Sequence, residues 1–150
     1  MTTTLALEAG YWNTIGRGVG AILLYAILGL ALMLIGFFAI DVTTPGPLRK
    51  LVAAGNPNAV IVTAAGVVSM ALIVVIAVYA SAGKLVEGLI AAAIYGLVGI
   101  VAQVLSVRVL EWVIGLDIGK LLHADSYENS ALMVAAAHVG IGLVVAFAIL

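Results

Sequence analysis

Histidine 138 is the residue whose type and setting could most readily do chemistry. It is the one imidazole, carboxylate, ammonium or guanidinium found inside the long apolar runs of the chain, within 130–150. It follows Asn129 by about 13.5 Å at 1.5 Å per helical residue, close to the midplane of a ~30 Å hydrocarbon core. An ionisable group at that depth points to a functional site, and imidazole suits proton relay. The bland alternative is a neutral histidine donating one hydrogen bond to a neighbouring helix, because no second titratable group stands beside it in the sequence. Gln103, Ser69 and Thr63 are polar residues in other apolar runs. Together with His138 they could line a narrow polar path or pocket; singly, each is accounted for as interhelical glue or by a bond back to its own helix.

A second group of polar residues lies at the ends of the runs. Asp41 and Thr44 close the first, Asn58 opens the second, and Glu128 and Asn129 open the fourth. As a polar vestibule at two helix N-termini they would favour an anion or carboxylate. As turn and capping residues they need no ligand. Asp117, His123, Asp125 and Glu128 carry metal-capable side chains without a ligand spacing, so no metal and no cofactor are expected. No nucleophile elbow, HExxH, phosphate loop or dinucleotide fingerprint occurs in a fitting context. The chain is therefore expected to be no enzyme.

The elements that must position these residues are legible from composition. Hydrophobic residues make up 65% and charged residues 9% of the 150, against about a quarter charged in soluble domains. Four apolar runs, 19–40, 59–80, 89–107 and 130–150, contain no proline, Asp, Glu, Lys or Arg. Each has about the twenty residues that span hydrocarbon, where only a helix satisfies its own backbone. The expected fold is all-α: a polytopic membrane protein of four transmembrane helices, occupying 1–150 as a single domain in the lipid bilayer. All three prolines, Pro45, Pro47 and Pro57, fall in the first loop, where they cost no helical hydrogen bond. In that loop Leu48–Ala54 suits a short interfacial helix ended by Gly55, and Asn58 is the expected cap of the second span. In the second long loop, Leu110, Val113, Ile114, Ile118, Leu121 and Leu122 keep helical spacing, with Trp112 as an interface anchor and Asn129 as the cap of the fourth span. Whether 108–129 continues the third span or lies flat on the membrane, periodicity leaves open.

The two halves align. Ala26–Leu30 matches Ala93–Leu97 at an offset of 67, and Asn58 matches Asn129 at 71, with identities following at Ala64/Ala135, Val68/Val139 and Leu72/Leu143. The expected architecture is two repeated helical hairpins, about 18–80 and 88–150, in parallel orientation. Gly88, Ala92 and Gly96 repeat every four residues, Gly16 and Gly20 do the same at the first span, and Gly29 pairs with Gly96 in the alignment. Such small residues mark helix-packing faces, whether toward the same chain or another. Arg49, Lys50, Arg108 and Lys120 outnumber Arg17 and Lys84, which places loops 41–57 and 108–129 in the cytoplasm and both termini outside.

A net charge of −1 without a basic stripe excludes a nucleic-acid partner, and the lack of cysteine excludes disulfides and thiolate chemistry. Neither a cleaved signal peptide nor a myristoylation glycine is expected at the N-terminus.

The Asp41, Thr44-Pro45-Gly46, Asn58-Ala59 and Glu128-Asn129-Ser130-Ala131 positions, set in a two-helix repeat, resemble the YjfL-like family of bacterial inner-membrane proteins, domain of unknown function 350. The resemblance covers the whole chain. Pro57 between Asn56 and Asn58 departs from the family pattern and leaves open which asparagine corresponds. The resemblance implies an inner-membrane architecture, a link to envelope stress or polyamine-related neighbours, and no reaction. Two functional expectations follow. One is a non-enzymatic homo-oligomeric scaffold, or a membrane subunit for an unknown protein partner. The other is a small ion, proton or solute channel or transporter with a path past His138 and Gln103.

Overall fold

The structure, a computed structural model, describes residues 10–44, 46–81 and 84–150. The N-terminal segment that bears on a signal peptide, and Pro45 of the first turn, lie outside the described residues. Among the described residues six helices follow in order: α1 (Tyr11–Thr43), α2 (Leu48–Ala53), α3 (Pro57–Ala80), α4 (Leu85–Ile114), α5 (Ile118–His123) and α6 (Asn129–Ile149). No strand occurs among the described residues. Four helices, α1, α3, α4 and α6, are long and apolar enough to cross a membrane. The fold is thus all-helical, as composition requires.

The helix α3 is central. It packs most extensively on α6 and also against α4 and α1. Its buried face runs through Asn58, Val62, Gly66, Ser69, Met70, Ile73 and Ala77, a helical stripe of mostly small or slender residues. The opposing faces are built alike: Gly88, Ala92, Gly96, Gly99 and Gln103 on α4, and Ala131, Val134, Ala135, His138, Gly142 and Ala146 on α6. Small side chains let helix backbones approach, and close packing has to hold the bundle because lipid supplies no hydrophobic drive between helices. Outward positions are large and apolar, as at Ile22, Ile27, Leu30, Val98 and Val144. That inversion of a soluble pattern is what hydrocarbon as solvent demands.

The glycine stripe of α4 is used inside the chain. A Cβ at Gly96 would meet Leu32 Cδ1 of α1 at 2.6 Å, and one at Gly88 would collide with the Tyr25 hydroxyl, also on α1. Gly29 faces Val74 at 3.5 Å, ordinary contact, whereas Gly16 and Gly20 meet nothing. These two glycines lie on an open surface of α1.

The loops refine the expected boundaries. The short helix after the prolines forms as read, and Gly55 follows it at φ 76. The cap of α3 is Asn56, not Asn58: its side chain accepts from the Ala59 amide at 3.0 Å, with Pro57 at the first helical turn. Nor does Asn129 cap α6. It is the first helical residue, and Glu128 takes the cap position with no side-chain bond. The third span continues to Ile114 and stops at Gly115, whose φ of 71 closes the helix through its N–H to Glu111 O. Leu110, Val113 and Ile114 therefore belong to α4, while Ile118, Leu121 and Leu122 are buried residues of α5. Helical spacing carried across the break because both pieces are helical.

Candidate functional site

The four polar residues singled out from the apolar runs are all buried, and three of the long helices contribute them. Thr63 and Ser69 lie on α3, Gln103 on α4 and His138 on α6. Gln103 is fully buried and His138 is 4% exposed. The Gln103 side-chain Nε2 donates to the main-chain carbonyl of His138 at 3.0 Å, which ties α4 to α6 at this depth. Each of the four keeps one buried polar atom without a partner in the chain: Thr63 Oγ1, Ser69 Oγ, Gln103 Oε1 and His138 Nδ1. Native interiors rarely leave such atoms unpaired, and in hydrocarbon each unpaired group costs free energy, so four from four helix positions mark this layer as special.

Glycines make room for it. The His138 ring lies opposite Gly66, where a Cβ would stand 3.6 Å from Nδ1. One turn further along α6, a Cβ at Gly142 would strike the Ser69 hydroxyl and come to 3.0 Å from Ser69 Cα. The serine occupies space that Gly142 on the facing helix vacates, whereas at Gly66 the tight neighbour is Ile40 Cδ1 at 3.0 Å and the imidazole stands at ordinary contact distance.

Two small cavities of about 20 Å³ each meet His138. Such a volume holds a single water. The first runs from Gln103 and His138 toward the loop end, past Val107 to Thr43, Thr44 and Arg108. The second approaches the same histidine between Val107, Ile118 and Ala137, with Glu111 on its wall. Arg108 and Glu111 form an ion pair, their side chains 33% and 18% exposed. By sequence Arg108 counts only as an orientation charge of the stretch 108–129, and Glu111 lies in the same stretch. The helical register that brings them beside His138 exists only because α4 continues to Ile114.

The expected vestibule residues are distributed among separate tasks. Asp41 Oδ1 accepts from the Arg49 amide at 3.3 Å. Thr44 ends α1 through its amide to Ile40 O. Asn58 is fully buried: its Nδ2 donates to Leu121 O at 3.2 Å and Ser126 O at 2.9 Å, and its Oδ1 accepts from the Glu128 amide at 2.9 Å. Beside it, Asn56 Nδ2 donates to Ala124 O at 3.0 Å. The two asparagines at the start of α3 thereby fasten the segment that leads into α6. Asp117 caps α5 by accepting from the Lys120 amide at 3.0 Å. That bond, foremost, holds its carboxyl below the ordinary carboxylate value. Among the described residues no group of three or more metal-capable side chains comes together.

Four apolar helices around a buried polar layer define a polytopic helical membrane protein. The chain belongs to the family described as Domain of Unknown Function (DUF350), whose sequence profile matches residues 14–149. It is 39% identical over 100 residues to a UPF0719 transmembrane protein of Mycolicibacterium paratuberculosis, a match covering 65% of this chain and 66% of that one. It is also 42% identical over 81 residues to UPF0719 transmembrane proteins of Mycobacterium bovis and Mycobacterium tuberculosis, 53% of each chain. The chain thus spans about half to two thirds of the length of the curated relatives it matches. No solved structure matches it.

Proposed function

We propose that this is a non-enzymatic protein of the bacterial inner membrane that carries protons across the membrane by a path entered from the loop end of the bundle and passing His138 and Gln103. The observation behind this reading is the convergence of two water-sized cavities on a buried imidazole whose Nδ1 has no partner. Imidazole exchanges protons near neutral pH, and water in a cavity of this size can hand them on. The two halves, each a long helix, a six-residue helix and a second long helix, are read as repeated hairpins inserted in parallel. The excess of Lys and Arg in the two longer loops supports a cytoplasmic side for the His138 cavities. The test is proton flux into proteoliposomes carrying an internal pH dye under an imposed pH gradient. Flux that depends on the protein and falls in His138→Ala supports the reading; equal flux in the two proteins, or none in either, removes it.

A second reading is an oligomeric scaffold or partner-bound subunit with an envelope-stress role. It is favoured by the tight apolar packing beyond the site, where Met70, Ile73 and Ala146 are buried past Ser69 and Gly142. Native mass spectrometry in nanodiscs tests it. A dimer or ring that survives delipidation supports assembly, and a clean monomer removes the homo-oligomer.

A further inference from the structure

We infer that the Arg108–Glu111 ion pair makes the His138 site selective, admitting water while barring metal cations. This inference rests on the reading of the His138 cavities as water-accessible from the loop end. Arg108 lines one of them and Glu111 the other, while Val107, Ile118 and His138 line both. Among the described residues these two are the only Asp, Glu, Lys or Arg side chains on either wall.

Of the remaining charges at this end, Lys50, Asp125 and Glu128 are exposed and line neither cavity, and the others are engaged elsewhere. Asp41 receives the Arg49 amide, Arg49 lies 5.4 Å from the Phe38 ring, and Lys120 pairs with Asp117 at 3.4 Å. On the α3 side the site presents Val62 and Gly66, and on the α1 side Ile40, Thr43 and Thr44; none carries charge. A cation in the first cavity therefore faces the guanidinium and no carboxylate, and in the second it faces a Glu111 carboxylate already paired with that guanidinium. In a poorly screened environment like charges repel over the whole width of a water-sized passage. A fixed guanidinium is a general means of barring cations from a water path. Glu111, reached from the other cavity, neutralises the guanidinium overall, so that a charged residue can be kept at the edge of hydrocarbon.

The test is histidine C2 hydrogen–deuterium exchange, read by mass spectrometry on the full chain in nanodiscs with and without zinc chloride. His123 is exposed and serves as the internal reference. In the natural protein His138 exchanges and zinc leaves its rate unchanged. In Arg108→Gln, zinc slows His138 about tenfold once it stands at ten times its dissociation constant. Arg108→Lys keeps the charge on a different side chain and stays insensitive, which separates charge from size. Zinc slowing His138 in the natural protein, or leaving Arg108→Gln unaffected while that variant remains folded by circular dichroism, overturns the cation barrier and leaves the water path standing. No exchange at His138 in any variant overturns the water path and the barrier with it.

Discussion

The side chain of Gln103 donates to the main-chain carbonyl of His138 at 3.0 Å. An amide on α4 thereby fixes the height of α6 where the bundle carries its polar layer, and it leaves its own Oε1 without a partner. The bond holds the helices; the free oxygen faces the question of what the layer is for.

Gln103→Leu separates the two. The variant loses one interhelical hydrogen bond, worth about 0.5–1.5 kcal/mol, but also removes an unsatisfied acceptor. The expected change in unfolding free energy in mixed micelles is within about 1 kcal/mol, while His138 exchange and proton flux fall. A large loss of stability with unchanged exchange would make Gln103 purely structural.

Gly142→Ala puts a methyl group into the Ser69 side chain and against its Cα. Overpacking of this kind costs about 1–3 kcal/mol. The double variant with Ser69→Gly should recover part of the loss, since the hydroxyl leaves but the backbone stays. A double-mutant cycle on the unfolding free energies reads the coupling.

Gly96→Leu is expected to reduce folded protein in any oligomeric state, because the space it fills belongs to Leu32 of the same chain. Size-exclusion profiles in detergent with a thermal melt test this. A variant that stays fully folded yet changes its mass would place the face between chains.

Asn58→Ala removes the partner of three main-chain groups, Leu121 O, Ser126 O and Glu128 N. Stranding them costs about 2–4 kcal/mol if the segment cannot rearrange to reach water. The amide of Glu128 should exchange faster by a larger factor than amides in the middle of α6, as read by hydrogen–deuterium exchange.

Asp117 titrates below its ordinary value of 3.8, so its contribution to α5 is complete above that value and lost as pH falls through the lowered one. Amide exchange at Gly119 and Lys120, measured from pH 5 downward and corrected for intrinsic rates, should rise only at the acid end. Asp117→Asn should flatten that rise, since an asparagine cap does not titrate.

Much of this architecture was legible in the amino-acid order. Four proline-free apolar runs fix four helices because hydrocarbon offers a backbone no other partner. Pro47 and Gly55 bracket the short α2 for local conformational reasons, and the polar residues His138, Gln103, Ser69 and Thr63 stood out against their apolar setting. Those are properties of single segments, and a single segment carries them in its composition. The tertiary structure decided what the segments do to one another. Asn58 reads as a cap, but Asn56 takes that role and leaves Asn58 to hold 121–128, because hydrogen bonds across some sixty to seventy residues leave no local periodicity. The α4 glycines read as a packing face with no stated partner, and only the arrangement of α1 beside α4 assigns it to Tyr25 and Leu32. Arg108 reads as a loop charge, and with Glu111 it comes to wall the His138 cavities because α4 runs on to Ile114 before Gly115 stops it. Segment identity follows from solvent and backbone chemistry, which every residue reports for itself, whereas helix register and neighbour choice follow from steric fit between faces, which no one segment encodes alone.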